Sequence, residues 1–154
     1  MEPFSFSIVT IAIALVAGTV AIHSLGTFFL IWGVEKHRAR SSGTPGYARV
    51  TFRLTFVVLA LLLLHLLEVA LWAAYFHIRS CFPDLHTSFY FSLITYATVG
   101  YGDVVLTEQY RVLGGIEALL GVLLMSWSTA LLIAYVQRVY SQLRDRLGRL
   151  SRKT

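Results

Sequence analysis

Three long apolar runs dominate the chain, each interrupted by only a few polar residues. The first is Ser7–Trp32, with Gly18, Thr19, Ser24, Gly26 and Thr27 as small or hydroxyl breaks and His23 inside it. The second is Val50–Ile78 and the third Tyr110–Tyr140. Each exceeds the roughly 20 apolar residues that a helix needs to cross bilayer hydrocarbon. Small residues at such positions let membrane helices approach closely. The pattern predicts an all-α membrane protein with three transmembrane helices.

A shorter apolar stretch lies between the second and third runs. The connector Arg79–His86 holds a Pro83-Asp84 stop, and Asp84 is a candidate N-cap for a helix over Leu85–Ala97. At about 1.5 Å per residue that helix reaches only about halfway across the hydrocarbon. A glycine-rich return follows, and Val104–Gln109 leads back to the surface. A half-spanning helix followed by such a return predicts a re-entrant loop. Irregular backbone is tolerated at that depth only where protein buries it or water reaches it.

The return carries Thr95-Tyr96-Ala97-Thr98-Val99-Gly100-Tyr101-Gly102-Asp103. Two glycines flanking a tyrosine suit neither helix nor strand. They admit backbone conformations closed to other residues and can turn successive carbonyls toward one axis. Here the sequence resembles the pore domain of the potassium channel family, matching its Thr-x-x-Thr-Val-Gly-Tyr-Gly-Asp signature without a gap. In that family carbonyl rings replace the hydration shell of K+.

The resemblance implies a bacterial-type two-span pore domain over residues 50–140. Its parts would be an outer helix 50–78, a pore helix 85–97, a filter 98–103 and an inner helix 110–140. Residues 1–32 would be an additional helix supporting the outer one, residues 33–49 a cytoplasmic basic linker, and 141–154 a cytoplasmic basic tail. One chain supplies one filter strand, so the resemblance implies a homotetramer. K+ would be held by carbonyls of Thr98, Val99, Gly100 and Tyr101, with the Thr98 hydroxyl at the inner end and Gly102 permitting the last turn. The Val99 and Tyr101 side chains would pack behind the filter. Asp103, Tyr90 and Thr95 would support it. Family members often brace the aspartate with a carboxylate and a tryptophan; the aligned positions here are Ile94 and Tyr90. Tyr90 can still donate to Asp103. Leu106 stands where a proline is common.

Composition agrees with a membrane protein: 56% of the 154 residues are apolar and 14% charged. Soluble domains are nearer a quarter charged. The net charge of +5 does not point to nucleic acid, because the cations flank the apolar runs. Lys36, Arg38, Arg40 and Arg49 lie in the linker; Arg138, Arg144, Arg146, Arg149, Arg152 and Lys153 lie at the C-terminal end; Arg79 and Arg111 lie on the opposite side. Positive charge marks the cytoplasm, so the linker and C-terminus are expected inside a cell membrane and the loop outside. The basic linker and tail, the latter with Leu143, Leu147 and Leu150, are expected to meet anionic lipid headgroups. The first run lacks a basic leader and is too long for a signal peptide, so it reads as retained. It also lacks the repeated arginines of a voltage sensor. Ser41–Gly46 reads as a turn.

Other polar residues within the spans are candidates for gating. His65, Glu68 and Trp72 share one helical face, and Glu68 and Glu117 lie at similar depths behind the filter. His65, Glu68 and Glu117 are either hydrogen-bonded structural groups or a proton sensor. Gly121 can serve as a hinge or admit close packing. His23 reads as a neutral histidine bonded to a neighbouring helix. Ser126, Ser128 and Thr129 are candidates for lining the cavity, with Met125 and Ser128 on one face. Cys81 is the single cysteine, either a free thiol or paired with another subunit.

The chain is expected to be a potassium-selective channel with no cofactor. The alternatives are a non-conducting modulatory subunit and an ion-coupled transporter. Enzymatic function is not expected, since no nucleophile–base pair, metal cluster or nucleotide loop is evident.

Overall fold

The computed structural model of the chain describes residues 6–39 and 47–151. Helix α1 runs Phe6–Ala39, α2 Tyr47–Ile78, α3 Leu85–Tyr96 and α4 Arg111–Ser151, with a 3₁₀ turn at Glu108–Tyr110 before α4. No strand occurs among the described residues. Helices α1, α2 and α4 are long and apolar enough to cross a membrane. The expected turn at Ser41–Gly46, Arg40, and the last cations Arg152 and Lys153 lie outside the described residues.

The helices overrun the apolar runs. α1 continues past Trp32 through Gly33–Ala39, where a linker was expected. Glu35 and Lys36 favour helix, and a single Gly33 costs only about 1 kcal/mol, too little to stop a helix already propagating from the membrane. α4 likewise passes Tyr140 and carries the tail with it as far as Ser151. At 1.5 Å per residue it is about 60 Å long, longer than the roughly 40–45 Å bilayer with its headgroups. Up to Ser151 the tail is therefore the end of α4 and not a separate surface element.

Local chemistry ends α2 and begins α3. Cys81 N donates to Phe76 O at 2.9 Å and Ser80 N to His77 O at 2.9 Å, which together make a Schellman cap. Ser80 holds the left-handed position with φ 52°. The chain then turns at Pro83, and Asp84 accepts from Thr87 N at 2.7 Å and from Thr87 Oγ1 at 3.0 Å. That is an N-cap on α3. Cys81 is free and half-buried, and burial pushes its thiol pKa up.

The core lies at the end of the molecule where α1 starts and α2 stops. Trp72, Phe76, Phe82, Phe91, Leu106, Tyr110 and Leu113 pack there with Ala12 and Leu15 of α1. Phe91 of α3 is clamped by Phe76 at 5.5 Å and Phe82 at 5.0 Å between ring centroids. This clamp holds α3 against α2 and the connector that precedes it. Leu15, Thr19, His23 and Thr27 follow one another every four residues along α1 and are all buried. The Trp72 indole donates to Thr19 Oγ1 at 3.0 Å. Leu62, Leu63, Leu119 and Leu123 are exposed, as lipid-facing positions of a spanning helix are.

Candidate functional site

The C-terminal turn of α3 leads directly into the loop and holds its start. Ala97 N donates to Leu93 O at 3.1 Å and Thr98 N to Thr95 O at 2.9 Å. Val99 N and Gly100 N both donate to Ile94 O, at 2.8 and 3.1 Å. Ile94, itself buried and apolar, thus contributes a backbone carbonyl as the anchor. Thr95 is half-buried.

Beyond this anchor the backbone alternates. Thr98, Gly100 and Gly102 have φ of 57°, 51° and 79°, while Val99 and Tyr101 do not have positive φ. Alternating mirror-related conformations can turn successive carbonyls to the same side, the arrangement a line of cation ligands needs. A Cβ at Gly100 or Gly102 would meet nothing within 4 Å. Conformation and not crowding is therefore what requires glycine within the chain. Thr98 has no such freedom; the left-handed region costs an L-residue about 1–2 kcal/mol.

At the far end of the loop the Tyr90 hydroxyl donates to Asp103 Oδ2 at 2.7 Å. Val99 is 50% and Tyr101 73% exposed. Within one chain, then, neither side chain packs behind the loop. Leu106 is buried and forms part of the wall beside Gly114.

Behind the loop, side chains from four helices meet around the Glu68–His65 pair. Glu68 Oε1 pairs with His23 Nδ1 of α1 at 2.8 Å, and its Oε2 with His65 Nδ1 at 3.0 Å. The Tyr96 hydroxyl at the end of α3 donates a short hydrogen bond to Oε2. His65 Nε2 in turn lies 3.0 Å from Ser128 Oγ of α4. Glu68 and His23 are fully buried. Three donors around one carboxylate are what a charge needs to persist away from water.

The structure therefore joins His65 to Glu68 but leaves Glu117 apart. Glu117 is fully buried and faces Ser92 of α3, with neither carboxylate oxygen at full hydrogen-bonding geometry. Trp72 bonds Thr19 and not Glu68. Ser128 is buried beside His65, while Ser126 and Thr129 are exposed and bond back to Val122 O and Met125 O. Gly121 serves close packing. A Cβ there would lie 2.0 Å from Tyr96 O and 2.9 Å from Tyr96 C, so α4 touches backbone at the very end of α3.

The sequence profile of the Ion channel family matches residues 54–138. The chain belongs to the ion-channel family. Potassium channels are the kind it resembles: over 76 residues it is 36% identical to the potassium voltage-gated channel protein shk-1 of Caenorhabditis elegans. That stretch covers 49% of this chain and 14% of the relative, so the chain spans about one seventh of that protein's length. No solved structure matches the chain.

The matched channel unit holds α3, the loop and most of α2 and α4, but not α1. His23 is thus the contact that ties an additional helix to the cluster behind the loop, through Glu68. The sequence marked His23 only as a histidine bonded to some neighbouring helix. Tyr96 went unread. Its one available signal was a polar, bulky residue inside a half-spanning helix, and such a hydroxyl needs a partner.

Proposed function

We propose that this protein is the pore subunit of a potassium-selective channel, in which four copies surround one axis and dehydrated K+ moves down its electrochemical gradient. The observation that carries this reading is the alternation of left-handed backbone at Thr98, Gly100 and Gly102 in a loop anchored to the end of a half-spanning helix. Carbonyls of Thr98, Val99, Gly100 and Tyr101 form the ion sites, and Gly102 completes the turn. K+ is the cargo, and no cofactor is required. The C-terminal end of α3 directs its negative dipole toward the axis, favouring a cation there. Tyr90 and Asp103 hold the outer mouth, while Thr95 and Ile94 hold the inner end.

Four-fold assembly also accounts for the exposure of Val99 and Tyr101. Copies around the axis cover side chains that a single chain leaves open. The loop enters from outside a cell membrane, and the ends of α1 and α4 lie in the cytoplasm, because cations collect at those ends.

Gating is assigned to the contacts behind the loop. His65, Glu68 and Tyr96 connect α2 to the loop, His23 adds α1, and Glu117 and Gly121 bring in α4. Through these contacts a displacement of α1, α2 or α4 reaches the end of α3, where the loop begins. Glu68→Gln, which keeps the side chain's size but alters the shared acceptor, is expected to change K+ conductance; an unchanged conductance in the folded variant would contradict this assignment.

Flux of K+ into liposomes holding the purified protein tests the pore reading. Wild type should take up K+, and Gly100→Ala should abolish uptake, because alanine resists the left-handed conformation. Undiminished uptake by Gly100→Ala would sink the filter mechanism.

A further inference from the structure

At the end of α1 and the start of α2, opposite the loop, a groove of about 490 Å³ opens between the two helices. Its walls are apolar and aromatic: Phe29 from α1, and Phe52 and Phe56 from α2. Its edge is basic, with His37, Arg49 and Arg53. No carboxylate lines it among the described residues. We infer that this groove is a site for one anionic phospholipid per subunit, with an acyl chain against the phenylalanines and the phosphate on Arg53.

Arg53 makes the site specific. It stands in the second turn of α2, within the apolar run, and is half-buried. Its Nη2 is shielded from solvent and has no hydrogen-bond partner. An unpaired guanidinium nitrogen in a low-dielectric place is costly. The planar guanidinium is matched by phosphate oxygens, which accept two parallel N–H bonds.

The chemistry of the groove selects among anions. Inorganic phosphate would satisfy Arg53 but leave the aromatic walls uncovered. A phospholipid supplies phosphate and hydrocarbon at the depths where the groove displays cation and phenyl rings. Three basic groups at one mouth favour a headgroup with net negative charge over a zwitterionic one, whose ammonium would face them. Anionic lipids are concentrated in the cytoplasmic leaflet, where the proposed topology puts this end. The inference does not depend on ion conduction.

Gly33 offers a way to separate the lipid chain from its headgroup. It lines the groove, and a Cβ there would meet nothing within 4 Å. Gly33→Leu therefore fills the groove without altering its charge.

Native mass spectrometry of the full chain in detergent, given equal phosphatidylglycerol and phosphatidylcholine, tests the site. Wild type should retain phosphatidylglycerol about tenfold over phosphatidylcholine, because both lipids offer a phosphate to Arg53 but the choline ammonium faces the basic mouth. Arg53→Gln should lose that preference, and Gly33→Leu should lose retention although every cation remains. Arg144→Gln, on the exposed end of α4, should behave as wild type. Millimolar inorganic phosphate should not displace the lipid. Equal retention of the two lipids by wild type would overturn the proposal by itself, even if a variant failed to fold. So would full retention by folded Gly33→Leu, which would indicate surface charge alone, or displacement by phosphate, which would indicate a simple anion site.

Discussion

At the scale of single residues, three positions bear most of the constraint. Gly121 has backbone against it, and the carbonyl of Tyr96 cannot withdraw without moving the loop that follows. Gly121→Ala gains about 1 kcal/mol of helix propensity, but overpacking of this kind costs about 1–3 kcal/mol. The net effect should be lower thermal stability in detergent together with reduced K+ flux. Gly26→Ala is the comparison. Its Cβ would also come close, at 2.4 Å, but to the tip of the Leu64 side chain, which can rotate away. That variant should lie nearer to neutral. Glu68 is the second position. Glu68→Ala leaves His23, His65 and Tyr96 without their shared acceptor and should cost about 3 kcal/mol or more. Tyr96→Phe removes one donor and should cost about 1 kcal/mol. Denaturation in detergent checks the order; equal losses would mean the carboxylate is not the hub. Thr98, held left-handed, is the third.

These three positions were legible to different degrees. The Thr98–Asp103 motif could be read because its chemistry is local: glycine spacing reports backbone conformation directly. The spacing of His65 and Glu68 placed them on one face, and the structure pairs them. The meeting of His23, Tyr96 and Ser128 with that pair could not be read, because it depends on the rotation of four helices about their axes. Apolar runs without strong periodicity do not encode that rotation. Gly121 was ambiguous for the same reason, since hinge and contact glycines look alike until the neighbour is known.

At the scale of elements, the two ends of the short connector before α3 make opposite predictions. Ser80 occupies the left-handed position of the α2 cap without being glycine and is exposed. Ser80→Gly relieves that conformation and should stabilise the protein by up to about 1 kcal/mol, seen as a higher melting temperature. Asp84 works through charge. Hydrogen bonds from the Thr87 backbone and then its hydroxyl hold the Asp84 carboxyl below its ordinary pKa. A folded pKa below the unfolded one contributes stability that is full above about pH 4. It is lost as pH falls through the lower folded value. Asp84→Asn, which can still cap, should flatten the acid limb of stability below about pH 4 and leave neutral stability nearly unchanged. A parallel fall in both proteins would remove Asp84 from the account. Helix existence was plain from the apolar runs, while helix ends were not. Both α1 and α4 continue where hydropathy stops, because hydropathy marks the lipid boundary and the hydrogen-bond ladder does not end there.

At the scale of the whole molecule, α1 is more than a peripheral prop. It packs on α2, reaches the cluster behind the loop through His23, and joins α4 at the far end through an Arg138–Glu35 pair at 2.9 Å. That exposed pair contributes little by itself; its value is in showing that the ends of α1 and α4 are adjacent. The buried stripe from Leu15 to Thr27 is the stronger bond. An additional helix is thereby wired to the same carboxylate as the end of the half-spanning helix. Movement of α1 would be felt at Tyr96 before it reached Thr98.

The most direct test of the central claim is the reversal potential of single channels in a planar bilayer, with K+ on one side and an equal concentration of Na+ on the other. A carbonyl-lined filter built on Thr98, Gly100 and Gly102 predicts current carried by K+ alone, with a reversal potential far toward the potassium equilibrium potential. A reversal potential near zero, with both ions passing equally, would contradict it.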